Sequence, residues 1–208
     1  MKLLLLIIIL IIGTVLSTAY LHEQGEALAV RTKGIKAVHD IVHEYCPDLS
    51  HRYRAYDWLL LIFIAPLVIN LGKYDLPAFI YSFAWVIVPI LIFRCITVCS
   101  SIPTRTTNEI ERDFGSWLKQ HFTGASSDLC FSGHCSVALA LILVMLRFKI
   151  IEKKVAWLSL FAAYGFFSTA SRNHFTIDVL MCVPATLLFF DWTQCKSASK
   201  DLLWGGCQ

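Results

Sequence analysis

Six apolar segments constrain the fold of this chain more than any other feature of its sequence. A helix needs about 20 predominantly apolar residues, within a range of about 17–25, to cross the hydrocarbon of a bilayer. Backbone groups cannot stay unpaired in lipid, so each such segment is expected to be helical. The segments cover residues 3–20, 57–72, 76–98, 132–148, 155–170 and 175–193. They predict an all-α integral membrane protein built as a six-helix bundle, in which the short second and fifth segments extend past their apolar stretch.

The composition places the chain in the membrane class. Hydrophobic residues make up 57% of the 208 residues and charged residues only 16%, whereas about a quarter of a soluble protein is charged. The length suits one polytopic membrane domain over residues 1–208. The net charge of +3 is too small to indicate a nucleic-acid partner.

Basic residues in the short loops predict the orientation in the membrane. Cytosolic loops are enriched in Lys and Arg, and the clearest cluster follows the fourth segment. The orientation is predicted from the loop and tail residues Lys73, Arg147, Lys149, Lys153, Lys154, Lys196 and Lys200. Six spans then place both termini in the cytosol and residues 21–56, 99–131 and 171–174 on the lumenal or extracellular face. The first of these loops also carries basic residues, so the prediction depends on the shorter loops.

Two further segments have the pattern of interfacial amphipathic helices. Apolar residues recur at helical spacing within 26–45, and a second such helix is predicted around 107–121. The first apolar segment resembles a signal peptide with small residues at its end. We interpret it as an uncleaved anchor because the apolar run continues through Tyr20 and Leu21.

Two short polar runs at the edges of apolar segments contain the candidate catalytic residues. The first is Ser132-Gly133-His134, and the second contains His174 and Asp178. On a helix, residues four apart share a face and can form a hydrogen bond, so Asp178 is predicted to orient His174 and increase its basicity. A structural polar pair fixing helix register is the alternative. Two apolar segments separate the histidines, so both return to the same side of a membrane.

Phosphate is the ligand that the surrounding residues favour. The helix predicted after Ser132 and Gly133 offers backbone N–H groups to an anion. Arg172 has a planar fork suited to phosphate, although snorkelling to the interface is the alternative. Arg94, late in the third segment, is predicted to bind the phosphate or to pair with Asp128 or Asp113. Asp128 is itself a candidate site residue that orients a catalytic group, and capping of the fourth helix is the alternative.

Together these residues predict covalent catalysis with a phosphohistidine intermediate. An arginine binds the phosphate, one histidine attacks phosphorus, and the other protonates the leaving oxygen. The acceptor of the second step decides the activity, because water makes a phosphatase and a lipid hydroxyl makes a transferase. The mechanism needs no cofactor, and no metal site is predicted because the Cys and His spacing matches no common zinc pattern.

The sequence resembles the type 2 phosphatidic acid phosphatase superfamily in these motifs. The resemblance rests on Asp128-Leu-Cys-Phe-Ser-Gly-His134 and Arg172-Asn-His-Phe-Thr-Ile-Asp178, with weaker matches at Phe93–Thr97 and Pro47-Asp48. It covers a predicted catalytic core over residues 44–193. More narrowly, the chain is similar to the branch of sphingomyelin synthases and phosphatidylcholine:diacylglycerol cholinephosphotransferases.

The resemblance implies a catalytic triad of His134, His174 and Asp178. It implies that His174 is the nucleophile, that Asp178 orients it, and that His134 acts as acid and then as base. It also implies an active site on the lumenal or extracellular face. The Lys and Arg-Pro motif of the general phosphatases is absent from the sequence, which argues against a general phosphatase.

The sequence therefore predicts a phospholipid head-group transferase, with two alternatives. We expect phosphocholine to move from phosphatidylcholine to ceramide or diacylglycerol in an endomembrane or plasma membrane. A lipid phosphate phosphatase on the same fold is the first alternative. The second is a non-catalytic scaffold or scramblase, in which the polar residues are structural pairs. Membrane lipids are the expected partners, and a homo-oligomer is left open.

Overall fold

The computed structural model describes residues 8, 12, 13, 16, 20, 40–100, 131–171 and 174–204. The predicted interfacial helix at 107–121 and most of the 26–45 segment lie outside these residues, as do Asp128 and Arg172. Within the first apolar segment, the five described positions are helical.

The described part of the chain contains helices and no strand, which confirms the all-α prediction. The α-helices are α1 (Ile41–Tyr45), α2 (Tyr53–Ile69), α3 (Leu76–Ser100), α4 (Gly133–Arg147), α5 (Lys154–Ala170) and α6 (Thr176–Trp204), and a 3₁₀ turn covers Ser50–Arg52. The five apolar segments from residue 57 onward each coincide with one of α2 to α6.

Helix α4 forms the centre of the bundle and contacts α2, α3, α5 and α6. Its buried residues occur on every side of the helix, from Cys135 to Met145. A helix that is apolar all round must be surrounded by other helices. Helix α4 is therefore enclosed by its four neighbours.

The outer faces of the surrounding helices are apolar. The exposed large hydrophobic residues include Trp58, Ile62, Ile92, Ile96, Ile177, Leu180 and Leu188. Extended apolar surface of this kind is typical of proteins that contact a membrane. Among the described residues, one helix (Leu76–Thr97) is long and apolar enough to span a bilayer, while Trp58–Ile69 and Gly133–Arg147 are shorter apolar helices.

Successive helices run up and down, so the bundle has two chemically different ends. The connection from α2 to α3 and the connection from α4 to α5 share one end, where the rings of Phe79 and Phe148 meet at 5.6 Å. That end carries the basic residues Lys73, Arg147, Lys149, Lys153 and Lys154. The opposite end brings together the end of α3 and the starts of α4 and α6.

Candidate active site

The two sequence motifs meet at the end of the bundle opposite the basic loops. The Ser132 N–H donates a 3.0 Å hydrogen bond to the Asp178 carbonyl, across 46 positions of sequence. Both residues are buried. The starts of α4 and α6 are thus joined directly, which brings His134 and His174 to one site.

Ser132 caps the central helix. Its side-chain oxygen accepts a 3.2 Å hydrogen bond from the Cys135 N–H, and its carbonyl accepts from the Ser136 N–H at 3.0 Å. A capped N-terminus directs its first backbone N–H groups, and the positive end of the helix dipole, into the site. His134 is the second residue of this helix and is half-buried.

Arg94 lies directly on Gly133. The side chain is only 7% exposed, and a Cβ atom added to Gly133 would stand 2.9 Å from the Arg94 Cζ atom. The structure therefore assigns Gly133 a steric role. A residue without a side chain at this position lets a guanidinium reach the N-terminus of α4 and adds a fixed positive charge there.

His174 is buried beside these positive groups. It is 5% exposed, and its Nδ1 atom has no hydrogen-bond partner among the described residues. Burial, the Arg94 cation and His134 together hold the pKa of His174 well below its ordinary value of 6.5. Desolvation and nearby positive charge both disfavour the imidazolium form, so the ring is neutral at neutral pH. The prediction that Asp178 increases the basicity of His174 is therefore wrong, because burial and the neighbouring positive charges dominate.

Asp178 lies near His174, but the hydrogen bond that the sequence predicted between them is not formed. His174 Nδ1 and Asp178 Oδ2 are 3.9 Å apart, which is beyond hydrogen-bond range. The prediction assumed that both residues lie on one helix, but α6 begins at Thr176. Asp178 Oδ2 instead accepts a 2.9 Å hydrogen bond from the Phe175 N–H, as the acidic residue of a capping box does.

Tyr56 is a member of this site that the sequence analysis missed. Its hydroxyl lies 3.0 Å from the side-chain oxygen of Ser132. Its ring centroid is 5.2 Å from that of His134 and 6.2 Å from that of His174, and the ring stacks on Tyr164. A tyrosine at the edge of an apolar segment is normally an interfacial anchor, so its sequence position carried no signal of this role.

We expect Tyr56→Phe to destabilise the protein measurably. The change keeps the buried, stacked ring but removes the hydroxyl that meets Ser132, and loss of a buried hydrogen bond costs about 1 kcal/mol. Thermal unfolding in detergent measures the effect. Tyr81→Phe is the matched control because the Tyr81 side chain is 53% exposed. Equal melting temperatures for the two variants would contradict the buried hydrogen bond.

Asp40 and His43 make two further contacts, with Thr176 and His174, that the sequence did not reveal. His43 is half-buried, and its Nε2 atom lies 3.1 Å from the His174 carbonyl. The Asp40 carboxylate accepts a hydrogen bond from the Thr176 N–H. Both contacts join positions more than 130 residues apart.

Six of the eight predicted site residues belong to the described structure. These are Arg94, Ser132, Gly133, His134, His174 and Asp178, and they lie together at one end of the bundle. Among the described residues, no three His, Cys, Asp or Glu side chains are grouped as metal ligands would be.

Comparison with known families supports part of the sequence interpretation. Residues 126–196 match the family model described as PAP2 superfamily C-terminal. The matched segment includes both histidine motifs and supports the type 2 phosphatidic acid phosphatase superfamily, without distinguishing the sphingomyelin synthase branch. Searches of curated proteins and of solved structures found no significant match.

Proposed function

We propose that this chain is a membrane phosphotransferase that moves a phospholipid head group, with phosphocholine transfer from phosphatidylcholine to ceramide or diacylglycerol as the expected reaction. The observation that carries the proposal is the meeting of two histidines and a buried arginine at the N-terminus of α4. The match to this superfamily suggests lipid phosphatase or phosphotransferase activity, and both motifs lie in the matched segment.

In the first step, His174 attacks the phosphorus of the donor lipid. Nδ1 is on the side of Asp178, so Nε2 is the attacking atom. The P–N bond forms as the bond between phosphorus and the diacylglycerol oxygen breaks. His134 donates its proton to that leaving oxygen, and the head group with its phosphate stays on His174.

In the second step, the reaction runs in reverse on a different alcohol. His134, now neutral, accepts the proton of the acceptor hydroxyl, whose oxygen attacks phosphorus. The P–N bond breaks and the head group leaves on the new lipid. Arg94 and the first N–H groups of α4 stabilise the negative charge on the phosphate oxygens through both steps.

The electrostatic interaction between Asp178 and His174 supports this mechanism, although the two side chains are too far apart for a hydrogen bond. At 3.9 Å, the carboxylate favours positive charge on the imidazole as the P–N bond forms. Catalytic hydrogen bonds are often long before substrate binds, so a shift of about 1 Å would bring the two atoms within hydrogen-bond range.

Burial of His174 favours transfer over hydrolysis. Only 5% of the residue is exposed, and a phosphohistidine in that position is shielded from bulk water. The apolar outer faces of α3 and α6 keep lipid close to the site. We further propose that the protein is multi-pass, with this end of the bundle on the lumenal or extracellular face and the basic loops in the cytosol.

A transfer assay in liposomes tests the proposal. Purified protein receives choline-labelled phosphatidylcholine, with ceramide or diacylglycerol offered separately. We expect label in sphingomyelin or in new phosphatidylcholine, and none with His174→Ala. Free phosphocholine as the sole labelled product would contradict transfer and establish hydrolysis. Identical lipid composition with wild type and His174→Ala would favour the scaffold alternative.

The pH dependence of transfer should reflect the depressed pKa of His174. The neutral ring is the nucleophile, so kcat/KM rises with pH through this pKa, and the midpoint should lie below the ordinary value of 6.5. Arg94→Gln removes a nearby positive charge, which raises the pKa and moves the midpoint to higher pH. The pH dependence of kcat/KM, followed from acidic to neutral pH, gives the midpoint for each protein.

The control for this shift is Arg147→Gln. Arg147 is exposed and ends α4 at the opposite end of the bundle, so its removal should leave the midpoint unchanged. A midpoint that is the same in wild type and Arg94→Gln would contradict electrostatic control of His174 by Arg94.

A further inference from the structure

The Asp40 carboxylate ties together two elements that are distant in sequence. Oδ1 accepts from the His43 N–H at 3.0 Å and so caps α1. The same oxygen accepts from the Thr176 hydroxyl at 3.0 Å, while Oδ2 accepts from the Thr176 N–H at 2.6 Å. Asp40 is 7% exposed. Burial raises the pKa of Asp40, but the hydrogen bonds from Thr176 and His43 outweigh burial and hold it below its ordinary value of 3.8, so the carboxylate is charged at neutral pH.

His43 makes the second connection, three residues later. Its Nε2 atom lies 3.1 Å from the His174 carbonyl oxygen. A carbonyl can only accept, so Nε2 carries the proton and donates. The His43 ring also packs on Phe175, with the ring centroids 4.9 Å apart.

Three consecutive residues, from His174 to the first residue of α6, are therefore held at their backbone. His43 binds the His174 carbonyl, Asp178 binds the Phe175 N–H and Asp40 binds the Thr176 N–H. The His174 side chain has no hydrogen bond at Nδ1 among the described residues. No hydrogen bond from this described part of the chain holds the ring at Nδ1, so the contacts that fix its backbone contribute to its position.

We propose that Asp40 and His43 are positioning residues that hold the His174 turn in its reactive geometry. The segment from Asp40 to His43 is called the strap below. The strap does not contact the phosphate, and its effect on turnover passes through His174. This inference rests on the proposed function, in which His174 is the nucleophile. A displacement of about 1 Å at a reacting group can lower a rate about 10²-fold.

Hydrogen exchange tests the contact independently of any activity. In Asp40→Ala the Thr176 N–H loses a charged acceptor, so the amides of the 174–176 turn should exchange about tenfold faster or more. Asp75→Ala is the matched control, because Asp75 accepts from the Ala78 N–H at 3.1 Å and caps α3 at the opposite end. Unchanged exchange of the turn in Asp40→Ala would overturn the proposal.

A pair of substitutions at His43 tests the effect on turnover. His43→Phe keeps an aromatic ring against Phe175 but removes the donor, whereas His43→Gln keeps an N–H that can reach the His174 carbonyl. We expect His43→Phe to lower kcat about tenfold with KM unchanged, and His43→Gln to restore most of it. A kcat for His43→Phe equal to wild type, or a loss confined to KM, would overturn positioning. If the wild type itself turns over no lipid, the proposed function fails and the exchange experiment alone decides whether the strap holds the turn.

Discussion

His174→Ala should abolish head-group transfer. The substitution removes the nitrogen that forms the P–N bond, and loss of a nucleophile lowers turnover by about 10³-fold or more. The residue is buried, so thermal unfolding must show that the variant is folded. Initial rates of labelled lipid formation in liposomes measure the effect.

His51→Ala is the control for this experiment. His51 is exposed, and its Nε2 atom lies 3.2 Å from the Arg52 side chain. We expect wild-type rates for this variant. A His174→Ala protein that keeps more than roughly a tenth of the wild-type rate would contradict nucleophilic catalysis by His174.

Gly133→Ala should lower transfer about 10²-fold while leaving the fold intact. The added methyl group would stand 2.9 Å from Arg94 Cζ, so the guanidinium must leave its place at the N-terminus of α4. Removing one such electrostatic contact from a transition state typically costs 10²- to 10³-fold. The displaced group is the end of a flexible side chain, and alanine favours a helix over glycine by about 1 kcal/mol. Unfolding should therefore change little.

A double-mutant cycle shows whether the lower transfer rate of Gly133→Ala results from displacement of Arg94. In an Arg94→Gln background, Gly133→Ala should have little further effect on kcat/KM, because the group that it displaces is gone. Gly13→Ala is the control, since a Cβ atom there meets nothing within 4 Å. Additive losses from Gly133→Ala and Arg94→Gln would contradict the steric coupling.

Hydropathy and motif spacing predicted the helices and the meeting of the two motifs. The apolar segments are long, and an even number of crossings brings His134 and His174 to one end, so both follow from the order of residues along the chain. The match of residues 126–196 to a family model supports the superfamily assigned from those motifs. The finer assignment to a head-group transferase is a proposal.

Predictions from the local spacing of residues were wrong or incomplete where a helix boundary or a distant contact decides the geometry. Helix boundaries are the least reliable part of a sequence-based prediction, and α6 begins two residues after His174. Asp178 consequently caps the Phe175 N–H and does not share a helical face with the histidine. The hydrogen bonds of Asp40 and Tyr56 span 136 and 76 positions of sequence, so no local pattern could indicate them.

Trapping of the covalent intermediate tests the central claim most directly. Wild-type protein in liposomes is mixed with ³²P-labelled phosphatidylcholine, stopped at alkaline pH because phosphorus bonded to a histidine nitrogen is lost in acid, and digested to locate the label. We expect label on the peptide that contains His174, none in His174→Ala, and its discharge when ceramide or diacylglycerol is added. Lipid turnover without labelled protein, or with label on another residue, would contradict the proposed mechanism.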